Sequence, residues 1–261
     1  MCRLPGASQL FYANGTLRVE RGSRGRHGAR SESRGGTIAR MSTLEIDHLF
    51  VFSQPDAPEA EELRAAGFQE GSPNTHAGQG TACRRFFFEN AMLEFLYVVD
   101  LEVTRTGSAA RTGLAQRWEG QGRDASPFGL CFRPSSTRAV AAPFRTWTYG
   151  PKYLPNGLPS YEISARCEEI AEPFIFYMPY FSRPDTYPPE RAQPLTHACG
   201  ARALTSVELV SPLYSIADLE GVASGELRVA QAPTHHLCVT FDRNVQQRSL
   251  TLSTLPLTLK W

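Results

Sequence analysis

Apolar positions recur along the chain with two periods, and they divide it into strands and helices before any motif is considered. Leu44 to Phe52, LEIDHLFVF, is rich in β-branched and aromatic residues and predicts a first strand, with His48 on the face of Ile46, Phe50 and Phe52. The segment SQPDAPEAEELRAAGF offers a capping serine or aspartate, early prolines and acidic residues, then Ala60, Leu63 and Ala66 at helical spacing before Gly67. It predicts a helix that ends at the glycine. Phe68 to Asn74 returns as strand or loop, and two apolar runs, Arg84 to Phe88 and Met92 to Val99, flank Glu89 and Asn90 as a hairpin. The resulting βαβββ order places a helix on one face of a sheet and leaves the other to form a cleft.

The pattern then loosens and restarts. Leu101 to Pro127 is polar and glycine-bearing and reads as a linker with a short helix near Leu114 to Trp118. Phe128 to Arg133 begins a second series: a helix from Thr137 to Thr146, a loop from Gly150 to Pro159, and a strand from Tyr161 to Arg166. The aromatic, proline-broken FIFYMPYFSRPDTYPP reads as a loop against the body. Later strands are expected at Ala203 to Val210, Leu227 to Ala230 and His236 to Phe241. The expected division is a leader over 1–40, a first module plus linker over 41–126, and a second, divergent module over 127–261.

Composition changes this picture at the amino end. Residues 1–40 hold eight arginines against Glu20 and Glu32, so this segment carries +6, while the other 19 basic and 24 acidic residues give −5. From Arg21 to Gly36 an Arg, Gly and Ser composition without large apolar residues cannot offset the entropy of ordering, so the leader is expected to be disordered, with an arginine-rich nucleic-acid-binding arm as the alternative. The mildly acidic body argues against nucleic acid as its partner, and no apolar run reaches membrane-spanning length. Six widely spaced cysteines without a CxxC pair indicate neither a zinc knuckle nor a disulfide framework, and point to a reducing, cytoplasmic setting.

Glu94 is the residue that demands chemistry. It shares a strand face with Met92, Leu96 and Val98, and a carboxylate in an apolar layer requires a cation, a metal ion or a hydrogen-bond donor. Arg84 or Arg85 on the neighbouring strand must face inward, where it could pair with Glu94 or bind a substrate anion. His76, Gly78, Gly80 and Thr81 form a glycine-rich turn that either approaches a ligand or simply enters the strand.

The combination of IDHLFVF, HAGQGTACRRFFF and AMLEFL resembles the vicinal oxygen chelate superfamily, in its glyoxalase-like branch (the glyoxalase, bleomycin-resistance and dioxygenase type). The resemblance implies an α+β fold of paired βαβββ modules that form a curled mixed sheet around a cleft, here with a degraded, insertion-bearing second module. It also implies a divalent metal (Fe, Mn, Ni or Zn) held by a first-strand histidine and a fourth-strand glutamate, positions on which His48 and Glu94 fall. The family's fifth-strand histidine is missing at Pro127-Phe128, and the expected eighth strand, His236 to Phe241, has no internal glutamate. The resemblance places His48 with Glu94 at the metal; from the residues themselves, Glu94 and His76 are expected in catalysis and Arg84, Arg85, Thr81 and Gly80 in substrate binding. Two function classes follow: a lyase, isomerase or dioxygenase acting on adjacent oxygens, or a metal-free protein that sequesters a small molecule. Either is expected as a monomer or homodimer without nucleic-acid or membrane partners.

Overall fold

The computed structural model describes residues 44–154, 157–213, 219 and 226–261. The arginine-rich leader lies outside them. Eight strands form the main sheet: β1 (Leu44–Phe52), β2 (Asn74–His76), β3 (Thr81–Phe87), β4 (Met92–Val98), β5 (Phe128–Pro134), β6 (Thr146–Tyr149), β7 (Tyr161–Ser164) and β8 (Phe174–Tyr177). Their order is β2-β3-β4-β1-β5-β8-β7-β6, so each half runs outward through the same succession and the two modules pair within one chain. The seam is the antiparallel pair β1/β5, while β1/β4 and β5/β8 are parallel. The whole is an α+β mixed sheet curled into a half-barrel.

The strand pleat sorts the side chains. Leu49, Val51, Leu93, Phe95, Leu130 and Phe132 face outward into one core with Ala60 and Leu63 of helix α1 (Ala60–Ala65). Phe50, Phe52, Cys83, Leu96, Cys131, Phe174 and Phe176 face the concave side. A bulge between Ile46 and His48 shifts the β1/β5 register, so Ile46 joins the outward core instead of sharing a face with His48 as its spacing suggested. Helix α1 ends where Gly67 takes φ +93°, and a Cβ there would meet the Cys199 backbone nitrogen at 3.0 Å.

Three expectations for the second half are corrected. The Thr137 to Thr146 segment is not helical: Pro143 interrupts it, and Val140, Ala142 and Phe144 pack on the outward core at strand-like spacing of two. FIFY is not loop but strand β8, because its uninterrupted aromatic run is covered on both faces. His236 to Phe241 is a strand, yet not the eighth of this sheet. It belongs to a second sheet of β9 (Leu204–Ser211), β10 (Leu227–Gln231), β11 (His236–Phe241), β12 (Ser249–Thr251) and β13 (Leu257–Lys260), ordered β10-β9-β11-β13-β12. Its apolar face packs into the outward core, where Trp261 is 5.0 Å from Phe68 between ring centres.

The linker carries helices α2 (Leu101–Thr104), α3 (Gly107–Ala110) and α4 (Leu114–Glu119). Leu114 and Trp118 of α4 pack against the concave cluster, so the linker closes one end of the cleft. Among the described residues no helix is long and apolar enough to cross a membrane.

Candidate functional site

The concave face gathers His48, His76 and Glu94, together with Cys83 and Cys131. Glu94 is 6% exposed and lies opposite Arg85 in the β3/β4 register. Arg85 nevertheless turns its guanidinium to the backbone, donating to the Ser72 carbonyl at 2.7 Å and the Pro73 carbonyl at 3.3 Å, with Phe87 beneath it at 5.1 Å. Cys83 lies near Glu94 on the concave face, and burial chiefly, then the Glu94 charge, pushes its thiol well above its usual range. A thiol is a weak donor, so Glu94 keeps acceptor capacity toward the cleft.

Arg84 points to the opposite face. Its guanidinium pairs with Glu70 at 2.5 Å and Glu61 at 2.7 Å beside α1, so it is removed from both Glu94 and the cleft. Thr81 is fully buried and serves His76, whose Nδ1 lies 2.8 Å from its hydroxyl. Gly80 adopts φ +78°, and a Cβ there would lie 2.3 Å from the Asp100 carbonyl oxygen and 2.4 Å from Thr104 Oγ1. The glycine thus admits the start of α2, and close packing there, not ligand approach, explains it.

His76 stacks on Tyr153 with ring centres 4.7 Å apart, and burial lowers its pKa, so the imidazole is neutral near pH 7. Gln79 joins the turn to the second module, donating to Thr81 at 2.9 Å and accepting from Tyr149 at 3.0 Å. Tyr153 and Tyr161 lie within electrostatic range of Glu94; burial chiefly raises both pKa values, which keeps both hydroxyls protonated as donors.

His48 is held from behind. Its Nδ1 is 2.6 Å from Asp47 Oδ1, and Asp47 Oδ2 accepts from the fully buried Arg133 at 2.9 Å. Burial would push the His48 pKa down, but Cys131, the Asp47 bond and the Glu94 charge outweigh it and raise the pKa well above its ordinary value. Cys131 lies directly across on β5, its Sγ donating to the Phe132 carbonyl at 3.6 Å, and its thiol is pushed up to about 11 by burial. Asp47 and Cys131 are not legible as site residues in the apolar pattern, because strand alternation assigns Asp47 to the face opposite His48 and only the bulge reverses that.

The register tests whether the family's metal fits. The pairs His48/Cys131 and Phe50/Gly129 are interchanged by the two-fold through the seam, which makes Gly129 the counterpart of His48 and, through the Phe50/Glu94 and Cys131/Phe176 pairs, Phe176 the counterpart of Glu94. Neither is a ligand. A Cβ on Gly129 would fall 2.1 Å from the Phe50 ring, so that aromatic ring fills the vacated position, and Phe176 lies edge-on to His48 at 5.2 Å. The four-position metal set therefore does not fit this sheet; a histidine and a glutamate are too few to fix the ion.

A hypothetical protein from Staphylococcus aureus matches with a TM-score of 0.50 at 11% identity over 83% of this chain and 99% of that one. A mutant of 4-hydroxymandelate synthase from Streptomyces coelicolor matches with a TM-score of 0.37 at 13% identity, over 77% of this chain and 72% of that one. No curated protein matches the chain in sequence. The family described as "Glyoxalase-like domain" matches residues 46–215, which span both modules of the main sheet and enter the second sheet. The chain therefore belongs to the glyoxalase-like domain family of the vicinal oxygen chelate superfamily.

Proposed function

We propose that the concave face binds a small molecule with adjacent oxygens and moves a proton on it, with Glu94 as the base. One observation carries this reading: a carboxylate buried in an aromatic-walled cleft, with a neutral thiol near it and its facing arginine turned away to the backbone. Such a group is poised to accept a proton or a donor from a bound molecule. Glu94 would remove a proton from the carbon beside a carbonyl. Tyr153 and Tyr161, kept protonated by burial, would donate to the enolate oxygen, and neutral His76 would serve the return of the proton. The chemistry is redox-neutral, of isomerase or lyase type, and calls on none of the family's metal steps. The reading includes a reducing, cytoplasmic setting, supported by five described cysteines that are all free thiols.

The test is exchange of carbon-bound hydrogen in D₂O with a panel of 2-oxo and 2-hydroxy carbonyl compounds, followed by NMR. Wild-type protein is expected to catalyse exchange of at least one compound, and Glu94→Gln to slow it by about 10²-fold or more. Equal exchange in both proteins removes Glu94 from the role. Binding without exchange by either favours the second reading, sequestration of a small aromatic compound, which the wall of Phe50, Phe174 and Phe176 supports.

A further inference from the structure

We propose that Asp47, His48 and Cys131 form a soft-metal site, suited to Zn²⁺, that is distinct from the metal position of the family. One ligand atom from each residue lies within 4.8 Å of the other two. All three residues sit on the two central strands of the sheet, where displacement is least tolerated. His48 is the one residue shared with the family's set; the carboxylate and the sulfur come from positions that the family's pattern does not use.

The argument begins with the bulge. An unbroken β1 would send Asp47 to the outward core, opposite His48; the irregularity between Ile46 and His48 instead sets carboxylate and imidazole side by side across from Cys131. Burying this trio as a hydrogen-bonded network alone gains little from the sulfur, since a thiol is a weak donor and the imidazole already has Asp47. As metal ligands the same groups complement one another. A thiolate, an imidazole and a carboxylate are a donor set that Zn²⁺ takes, and three protein ligands with a fourth position open is the shell of a reactive zinc. Two negative ligands balance the charge of the ion.

The surroundings agree with the assignment. Arg133 donates to Asp47 Oδ2 at 2.9 Å and is fixed in turn by Glu45 at 2.8 Å and the Asn90 carbonyl at 2.7 Å, which leaves Oδ1 directed at His48. Ligating carboxylates are commonly oriented by such an outer hydrogen bond. In the metal-free protein one proton lies between Nδ1 and Oδ1 at 2.6 Å, and the free Cys131 thiol carries another. Zn²⁺ would replace both, forming Zn–N, Zn–O and Zn–S bonds and releasing the protons to solvent without any change of oxidation state.

The experiment uses the full chain, untagged and stripped with a chelator, titrated with Zn²⁺ against a chromophoric competitor and with Co²⁺ as a spectroscopic probe. One equivalent of Zn²⁺ is expected, and a near-ultraviolet sulfur-to-cobalt charge-transfer band. Cys131→Ser should abolish the band, and Cys131→Ser and Asp47→Asn should each weaken Zn²⁺ binding at least tenfold. Glu94→Gln and Cys83→Ser should retain both signals, so this result stands apart from the proton-exchange experiment, in which Glu94→Gln is inactive. No stoichiometric uptake overturns the proposal, as does a band that survives Cys131→Ser or disappears in Glu94→Gln. Should the Cys131 variant not fold, X-ray absorption of the zinc-loaded wild type decides: one sulfur among nitrogen and oxygen ligands supports the site, and a shell without sulfur overturns it.

Discussion

A Cβ on Gly129 would lie 2.1 Å from the Phe50 ring, so this one position records how the second module parted from the first. Gly129→Ala is expected to lower stability by about 1–3 kcal/mol through overpacking, and Phe50→Leu in the same chain to recover a large part of that loss. Urea titrations of the two single variants and the double variant measure the coupling; strictly additive losses would mean that the ring does not occupy that space. His197 gives a second residue-scale expectation. Its Nδ1 accepts from the Gln69 backbone nitrogen at 2.8 Å while its Nε2 faces the Phe87 carbonyl at 3.0 Å, so the ring is neutral with its proton on Nε2. Burial lowers its pKa below the ordinary 6.5, with the Phe87 bond acting weakly the other way. A histidine with a lowered folded pKa contributes fully above its unfolded value and loses that contribution as pH falls toward the folded one, because the unfolded chain then binds the extra proton. The His197 contribution to stability should therefore fall below about pH 6.5, by at most about 1.4 kcal/mol per pH unit, and His197→Gln should reduce the slope. An unchanged slope in that variant would assign the acid sensitivity elsewhere. At this scale Glu94 is legible as a candidate from strand alternation, and His48 from the family resemblance. Asp47 and Cys131 are not, since a bulge leaves no trace in the apolar pattern.

Elements with uninterrupted apolar runs or a clear helix stop, such as β1, the β3/β4 hairpin and α1, were readable because local pattern and burial agree. The second module was harder. Its helix is replaced by an extended strip, and β8 is flanked by prolines that on their own argue for loop. The loop from Cys167 to Glu172 depends on a side chain from another element: Arg117 of α4, fully buried, donates to the carbonyls of Cys167, Glu169, Ile170 and Glu172. Burial lowers its pKa to about 10, which still leaves it charged at neutral pH. Arg117→Met removes the donors of four carbonyls at once and is expected to cost about 3–5 kcal/mol. Amide exchange along 167–172 should rise well before global unfolding, and exchange unchanged in that loop would deny the clasp. Gly80→Ala tests the other end of the linker, since it forces a side chain into the Asp100 carbonyl at a positive φ. Loss of α2 docking should expose Leu114 and Trp118 and shift tryptophan fluorescence to the red.

On the scale of the molecule, the main sheet has two coverings of different kinds. Its concave face is closed at one end by the linker and lined elsewhere by aromatic and titratable groups, whereas its convex face shares a single core with α1 and the second sheet. The strands of the two modules end at Tyr177, and Trp261, 2% exposed, is buried in the common core with its indole donating to the Cys199 carbonyl at 3.1 Å. A division at the last module strand would thus cut through packed apolar surface, not along a linker. Residues 42–261 form one compact unit, and they should unfold as one. Near-ultraviolet circular dichroism, reporting tryptophan and tyrosine packing, and far-ultraviolet circular dichroism, reporting the sheets, should give the same urea midpoint. A chain ended at residue 198 would uncover Phe68 and Phe88, whose rings pack on Phe241 and Trp261. That surface exceeds what a monomer keeps in water, so the truncated protein is expected to aggregate or to bind a hydrophobic dye without a cooperative transition. A soluble truncation with a sharp transition and retained D₂O exchange would show that the two modules carry their own core and that the second sheet is an accessory.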